Sequence, residues 1–180
     1  MSAITSWDFS ILEAIEGIRN EVLTFILRIF TYMGEAGWFW ILLCIVLLII
    51  PKTRKIGIYA AAALTIQFLL GEVLTKNLVC RDRPFIQHPD IDTIIKHPSG
   101  YSFPSGHTSS SISVALSVFF HNKKLGAPLI VIAILIMFSR LYFEVHFPTD
   151  IIGGLILGTA MAIIVYFVLG HFFKKKKTDE

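Results

Sequence analysis

Apolar residues come in six long runs separated by short polar breaks, and one shorter segment precedes them. In that first segment, Trp7 to Ile18, the residues Trp7, Phe9, Ile11, Leu12 and Ile15 are set against Asp8, Glu13 and Glu16. This is the pattern of an amphipathic helix lying at a membrane interface. The runs that follow are Ile18 to Met33, interrupted by Arg28; Phe39 to Ile50, anchored by Trp38 and Trp40 and stopped by Pro51; and Ile56 to Val79. After a polar loop with four prolines come Ser105 to Phe120, Gly126 to Phe143 and Pro148 to Phe173. The pattern predicts an all-α fold: an integral membrane bundle of six transmembrane helices with a short N-terminal amphipathic helix, forming one domain over residues 1–180. The first run is the weak one, because Arg28 interrupts it and it falls short of the ~20 apolar residues a bilayer helix needs. If it is only interfacial, the amino terminus moves to the other side of the membrane and the remaining helices keep their places.

Composition supports a membrane protein. Hydrophobic residues make up 54% of the 180 residues, and charged residues make up 16%, where soluble domains average about 25%. The mean hydropathy is +0.69. A net charge of +3 is too small to imply a nucleic-acid partner, and where the charges fall matters more than their sum. Basic clusters lie at Lys52–Lys55, Lys123–Lys124 and Lys174–Lys177, after the second, fourth and sixth runs. The positive-inside rule places those segments in the cytoplasm. The expected protein is therefore multi-pass in the plasma or inner membrane with both termini cytoplasmic, and the loops after runs one, three and five face out. No signal peptide is expected. Cys44 and Cys80 form no disulfide framework.

The chemistry falls on the predicted outer side, in three stretches far apart in sequence. KNLVCRDRP places Lys76, Arg81 and Arg83 ahead of Pro84, three cations in a loop where the topology predicts few, which points to an anionic ligand. Arg suits phosphate because its planar fork makes paired charge-assisted bonds. FPSGHTSSS opens the fourth run. Pro104 presets the entry, Ser105 is a natural cap, Gly106 allows close backbone approach, and the first turn offers free N–H groups and the positive end of the helix dipole. His107 lies in that turn, where a bound phosphate would favour its protonated form and let it donate to a leaving oxygen. SRLYFEVHFPTD, Ser139 to Asp150, carries Arg140, His146 and Asp150, and a carboxylate at that spacing can orient an imidazole as nucleophile or base. Glu72 lies one turn before Lys76, either as an orienting salt bridge or as an exposed interfacial residue. His88 and His97 read as ordinary loop residues. Ser109, Ser113 and Ser117, and Gly154, Gly158 and Ala162, recur every fourth position, which suits close helix packing within the bundle or at a homodimer seam.

Taken together, Lys76-x6-Arg83-Pro84, Pro104-Ser105-Gly106-His107 and Ser139-Arg140-x5-His146-x3-Asp150 resemble the three signature motifs of the type 2 phosphatidic acid phosphatase family, in the family's order and at its spacings. The flanking residues resemble small bacterial members acting on undecaprenyl diphosphate or phosphatidylglycerol phosphate. The resemblance implies a lipid phosphatase with its active site on the extracytoplasmic face. His146 would be the nucleophile, Asp150 its orienting partner and His107 the general acid. Lys76, Arg83, Arg140, Ser105 and Gly106 would hold the phosphoryl oxygens, with Glu72, Pro84, Pro104 and Ser139 in support. Its partner would be a membrane lipid substrate, with no nucleic acid, and the choice of monomer or homodimer is open. Undecaprenyl diphosphate is the favoured substrate. The alternatives are a phosphatidylglycerophosphate or phosphatidic acid phosphatase, a lipid phosphotransferase, and a binder or transporter without turnover; an intact His107, His146 and Asp150 argues against the last. No cofactor and no metal are expected, because no carboxylate cluster suited to magnesium is present and Asp90-x-Asp92 reads as loop polarity.

Three fixed cations can neutralise a phosphoryl group without a metal. Activity is accordingly expected to persist in EDTA. Complete loss on chelation, restored by magnesium, would overturn this expectation.

Overall fold

The computed structural model describes residues 3–178, with side chains from 5 to 175, and among them every regular element is helical. The helices are α1 (Ala3–Glu16), α2 (Glu21–Met33), a 3-10 turn (Glu35–Gly37), α3 (Trp38–Ile49), α4 (Arg54–Phe68), a π-helical stretch (Leu69–Thr75) and α5 (Lys76–Val79). The short α6 (Pro84–Gln87), α7 (Gly106–His121), α8 (Lys123–Tyr142) and α9 (Pro148–Thr178) complete the chain. Local chemistry sets the boundaries. Asn20 caps α2 by accepting the Leu23 N–H at 2.9 Å, and Asn122 caps α8 by accepting the Leu125 N–H at 3.1 Å. Pro opens both α6 and α9, at a position where its missing N–H costs nothing.

Helix α7 is the axis of the bundle and packs against α4, α8 and α9. Its serines 109, 110, 111, 113 and 117 are all buried. Ser110, Ser113 and Ser117 turn their hydroxyls back to carbonyls three or four residues earlier, and Ser111 accepts from the Trp40 indole at 2.9 Å. Each buried hydroxyl among these four is thereby satisfied, and the small side chains let α9 come close. A Cβ on Gly158 would run into Ile112 and the backbone of Ser109, and one on Gly154 would meet the Ser105 carbonyl and Thr108. The small-residue stripes thus serve packing inside the bundle. The outward faces carry exposed apolar side chains such as Val22, Phe25, Leu78, Ile156 and Phe167, as contact with lipid requires.

The ends of the bundle are chemically distinct. At one end, Tyr59 contacts the rings of His121, Tyr166 and Phe173, and Lys55 lies over Phe173. The α3–α4 and α7–α8 connections and the end of α9 therefore meet there. At the other end lie Lys76, Arg83, His107, Arg140 and His146.

One expectation needs correction. The amphipathic segment forms a helix, but it does not lie apart at an interface. Asp8 is fully buried, accepting from Arg81 and from Thr149 at the start of α9, and Arg19 just beyond α1 bonds the Tyr142 carbonyl and Glu144. The amino-terminal helix therefore sits at the cationic end, while α9 finishes at the aromatic end. Helix α2 begins against Tyr142 and ends with Gly34 against His107 and Ile136, staying at the cationic end, and α3 then completes the passage. By length and apolarity three helical stretches among the described residues qualify as spans, Arg54–Gln87, Lys123–Tyr142 and Pro148–Lys175, and the α2–α3 pair, bent by 48°, adds a fourth when counted as one broken span. The 16-residue α7 is too short to meet that criterion, so three stretches, or four with the bent pair counted as one, qualify among the described residues where six were expected. Gly34 to Gly37 turns the chain between the predicted first and second spans, and each half is short: α2 has 13 residues and α3 has 12, well short of a ~30 Å hydrocarbon core at ~1.5 Å per residue.

Candidate active site

At the cationic end the three motif segments close around a cavity of about 560 Å³. Lys76, Arg83, Arg140, Gly106, His107, His146 and Glu72 all line it, as do Glu35 and Ser110, while Ile41, Leu64 and Phe68 form an apolar wall. Four of the five buried side-chain atoms left without a hydrogen-bond partner among the described residues belong to its lining: Gln67 Oε1, Glu72 Oε1, His107 Nε2 and Arg140 Nε. Buried polar groups are rarely left unpaired. Their gathering here marks a place built to receive a polar ligand.

Arg83 holds the parts together. Its Nε donates to the Gly100 carbonyl at 2.9 Å, its Nη2 reaches the Ser99 and Tyr101 carbonyls at 3.2 and 3.3 Å, and its Nη1 donates to the Val145 carbonyl at 2.8 Å. The same Nη1 lies 3.2 Å from His146 Nε2. A guanidinium has donors and no acceptor, so Nε2 must be the acceptor and the ring proton sits on Nδ1. That nitrogen faces Asp150 Oδ2 at 3.4 Å. Asp150 is held in turn by the Phe147 N–H at 2.9 Å and by Arg81, whose Nη1 donates to Oδ1 at 2.6 Å. His146 is therefore an oriented imidazole with its lone pair aimed at the cations. Burial above all, and then the positive charges of Arg83, Arg140 and Lys76, holds this imidazole well below its ordinary 6.5.

Lys76 donates to Glu72 at 2.9 Å, the salt bridge the spacing allowed, formed where a π-helical stretch joins α4 to α5. Gly106 lies directly against the Glu72 carboxylate, and any Cβ there would collide with it. His107, one residue further along α7, is half-buried against Gly34, with its Nε2 3.9 Å from Glu35 Oε2. Arg140, at the end of α8, is buried and donates to Thr31 of α2.

The other predicted residues act at a remove. Ser105 is fully buried and caps α7, its Oγ taking bonds from the Thr108 hydroxyl at 3.0 Å and the Thr108 N–H at 3.4 Å, and it does not line the cavity. Ser139 donates to the Ile136 carbonyl at 2.6 Å. Pro84 opens α6 and Pro104 leads into the Ser105 cap. Arg81, grouped by the sequence with the anion-binding cations, instead points at two carboxylates, Asp8 and Asp150. His88 meets Phe9 edge-on and His97 stacks on Phe85, both as loop residues. Sequence reasoning missed Glu35, Thr31 and Asp8. The available signals were a carboxylate beside a double-glycine turn, and polar residues four apart from Leu27 and Leu12 on otherwise apolar helix faces.

Comparison with known proteins shows the family. A family model described as the PAP2 superfamily matches residues 56–174. Undecaprenyl-diphosphatase BcrC of Bacillus subtilis is 33% identical, over 92% of this chain and 83% of that protein. Phosphatidylglycerophosphatase B of the same organism is 30% identical, over 98% and 88%. Among solved structures, a transmembrane PAP2 type phosphatidylglycerolphosphate phosphatase from Bacillus subtilis superposes with a TM-score of 0.76 at 28% identity, covering 97% of this chain and 88% of that one.

The neutral state of His146 has a measurable consequence. Its folded value is lowered, so below pH 6.5 the unfolded chain takes up a proton that the folded chain refuses. Its contribution to stability is thus fully present above pH 6.5 and is lost as pH falls, by up to ~1.36 kcal/mol per pH unit. Melting temperatures in detergent from pH 7.5 to 5 are expected to fall more steeply for the wild type than for His146→Gln. Parallel curves would show that the folded imidazole accepts a proton as readily as the unfolded one.

Proposed function

The chain belongs to the PAP2 superfamily and is a membrane lipid phosphatase, and we propose that it removes a phosphoryl group from a lipid diphosphate, undecaprenyl diphosphate foremost, through a phosphohistidine formed at the extracytoplasmic face. The observation that carries this reading is the orientation of His146: its acceptor nitrogen faces a cavity lined by Lys76, Arg83 and Arg140, and a carboxylate stands behind it.

The steps follow from that arrangement. The three cations and the first-turn amides of α7 draw in the phosphoryl oxygens and neutralise them, which is most of what phosphoryl transfer needs. The phosphoryl group takes over the Arg83 donor now spent on Nε2 and frees the lone pair. Nε2 attacks phosphorus as the bond to the leaving oxygen breaks, and His107 gives that oxygen its proton. Positive charge develops on the His146 ring and is stabilised by Asp150. Water then attacks phosphorus, its proton passes to His107, and the N–P bond breaks to restore both histidines. The apolar wall of Ile41, Leu64 and Phe68 suits a substrate whose tail stays in lipid while its headgroup enters.

The distribution of charge supports the outer face. Lys52, Arg54, Lys55, Lys123 and Lys124 lie at the aromatic end of the bundle, away from the cavity, and the basic end belongs in the cytoplasm. Phosphatidylglycerol phosphate is the second substrate reading, supported by the likeness to the phosphatidylglycerophosphatase and to the solved phosphatase structure.

Phosphate release by purified protein should be measured on undecaprenyl diphosphate, phosphatidylglycerol phosphate, phosphatidic acid and a soluble diphosphate. The first is expected to be the best substrate and the soluble compound the worst, with release needing no added acceptor, which separates hydrolysis from phosphotransfer. His146→Ala should lower turnover by about 10³-fold or more; wild-type release from that variant would end the nucleophile assignment. The face is tested by the native cysteines. Cys80, exposed one residue before Arg81, should react in intact cells with a membrane-impermeant maleimide, while buried Cys44 should not. Labelling of Cys80 only after lysis would place the cavity on the cytoplasmic side.

A further inference from the structure

The amino-terminal helix lies outside the three motif segments, yet it sends one fully buried carboxylate, Asp8, into the network behind His146. Asp8 Oδ1 accepts the Thr149 N–H at 2.9 Å. Its Oδ2 accepts the Thr149 hydroxyl and Arg81 Nη2, both at 2.6 Å. Arg81 Nη1 in turn reaches Thr149 Oγ1 and Asp150 Oδ1, also at 2.6 Å each. The guanidinium is stacked 4.0 Å from the centre of the Phe147 ring, and Phe9 of α1 meets the same ring edge-on at 5.1 Å. Asp8 therefore caps the first turn of α9, the turn that carries Asp150, and fixes the outer prong of the Arg81 fork.

Two consequences follow for the imidazole. The first is geometric. Asp150 divides its oxygens, Oδ1 to Arg81 and Oδ2 to His146 and the Phe147 N–H. With its outer prong held by Asp8, Arg81 meets Asp150 through one nitrogen only. Released, it is free to turn both prongs onto the carboxylate, the bidentate geometry arginine favours, and draw Oδ2 away from Nδ1. The second is electrostatic. Two fully buried carboxylates share one guanidinium, which leaves an excess negative charge behind the ring that must become positive when phosphorus is attacked.

We infer that Asp8 is a positioning residue for phosphoryl transfer: through Arg81 and Thr149 it holds Asp150 in register with His146 and supplies the surplus negative charge that favours the phosphohistidine. This rests on the assignment of His146 as nucleophile. It makes α1 part of the catalytic apparatus rather than a membrane anchor.

The test compares Asp8→Asn with Glu13→Gln, an equal change of charge at an exposed site on the same helix, in the full chain in detergent with a lipid diphosphate substrate. Gel filtration and melting temperature report folding. Asp8→Asn is expected to lower kcat tenfold or more while KM stays within about twofold, since the phosphate-binding cations are untouched; Glu13→Gln should match the wild type. A loss confined to KM, or kcat at the wild-type value in folded Asp8→Asn, would overturn the inference. If Asp8→Asn fails to fold, Thr149→Val, which keeps the backbone bond to Asp8 and removes the hydroxyl link to Arg81, is read by the same split. His146→Ala in the same assay keeps the two ideas apart. Turnover surviving there defeats the nucleophile assignment. Turnover abolished there but normal in Asp8→Asn defeats only the role given to Asp8.

Discussion

A single buried guanidinium, that of Arg83, gives this site its form. It bonds carbonyls of the polar loop at Ser99, Gly100 and Tyr101, the Val145 carbonyl ahead of α9, and the acceptor nitrogen of His146. Segments about 60 residues apart are thereby tied to one planar group. The charge costs free energy to bury, and nearly every donor is spent on carbonyls that would otherwise be unpaired in a loop. What remains is a net positive charge at the cavity rim and an imidazole whose tautomer is forced. Both are properties a phosphoryl group can use.

The surrounding bundle extends the same economy of polar groups. Serines along α7 satisfy their hydroxyls within the helix, so α4, α8 and α9 enclose it without polar cost. The contrast is at the cavity, where Glu72, His107, Arg140 and Gln67 keep atoms without partners. A fold that satisfies its core so thoroughly and leaves these few groups open has concentrated its unspent hydrogen-bonding capacity at one place.

Much of this was legible in the order of residues. Phosphate chemistry recruits Lys, Arg and His in fixed short spacings, so the three motifs stood out, and the structure gathers Lys76, Arg83, His107, Arg140 and His146 around one cavity. The Glu72–Lys76 bridge followed from helical spacing alone, although the helix there is wound differently. What could not be read depended on tertiary contacts. Arg81 and Arg83 differ by two positions and have opposite roles, because one meets carboxylates and the other carbonyls. Ser105 fits a helix cap and a phosphate ligand equally well on paper, and burial places it in the cap. Asp8 looked like the solvated face of an amphipathic helix, and only docking against α9 shows that the helix carries its polar residue inward. Hydropathy likewise reports that α2 and α3 are apolar, but not that a turn of four residues bends the pair by 48°.

The placement of α1 and of the last turns of α9 at different ends of the bundle has a practical side. Helix α9 spans 31 residues, about 45 Å at 1.5 Å per residue. An affinity handle or reporter domain fused after α9 is separated from the chemistry by that whole length. The same handle fused ahead of α1 leans on the helix that braces the catalytic pair, so preparations differing only in the position of their purification tag need not be kinetically equivalent.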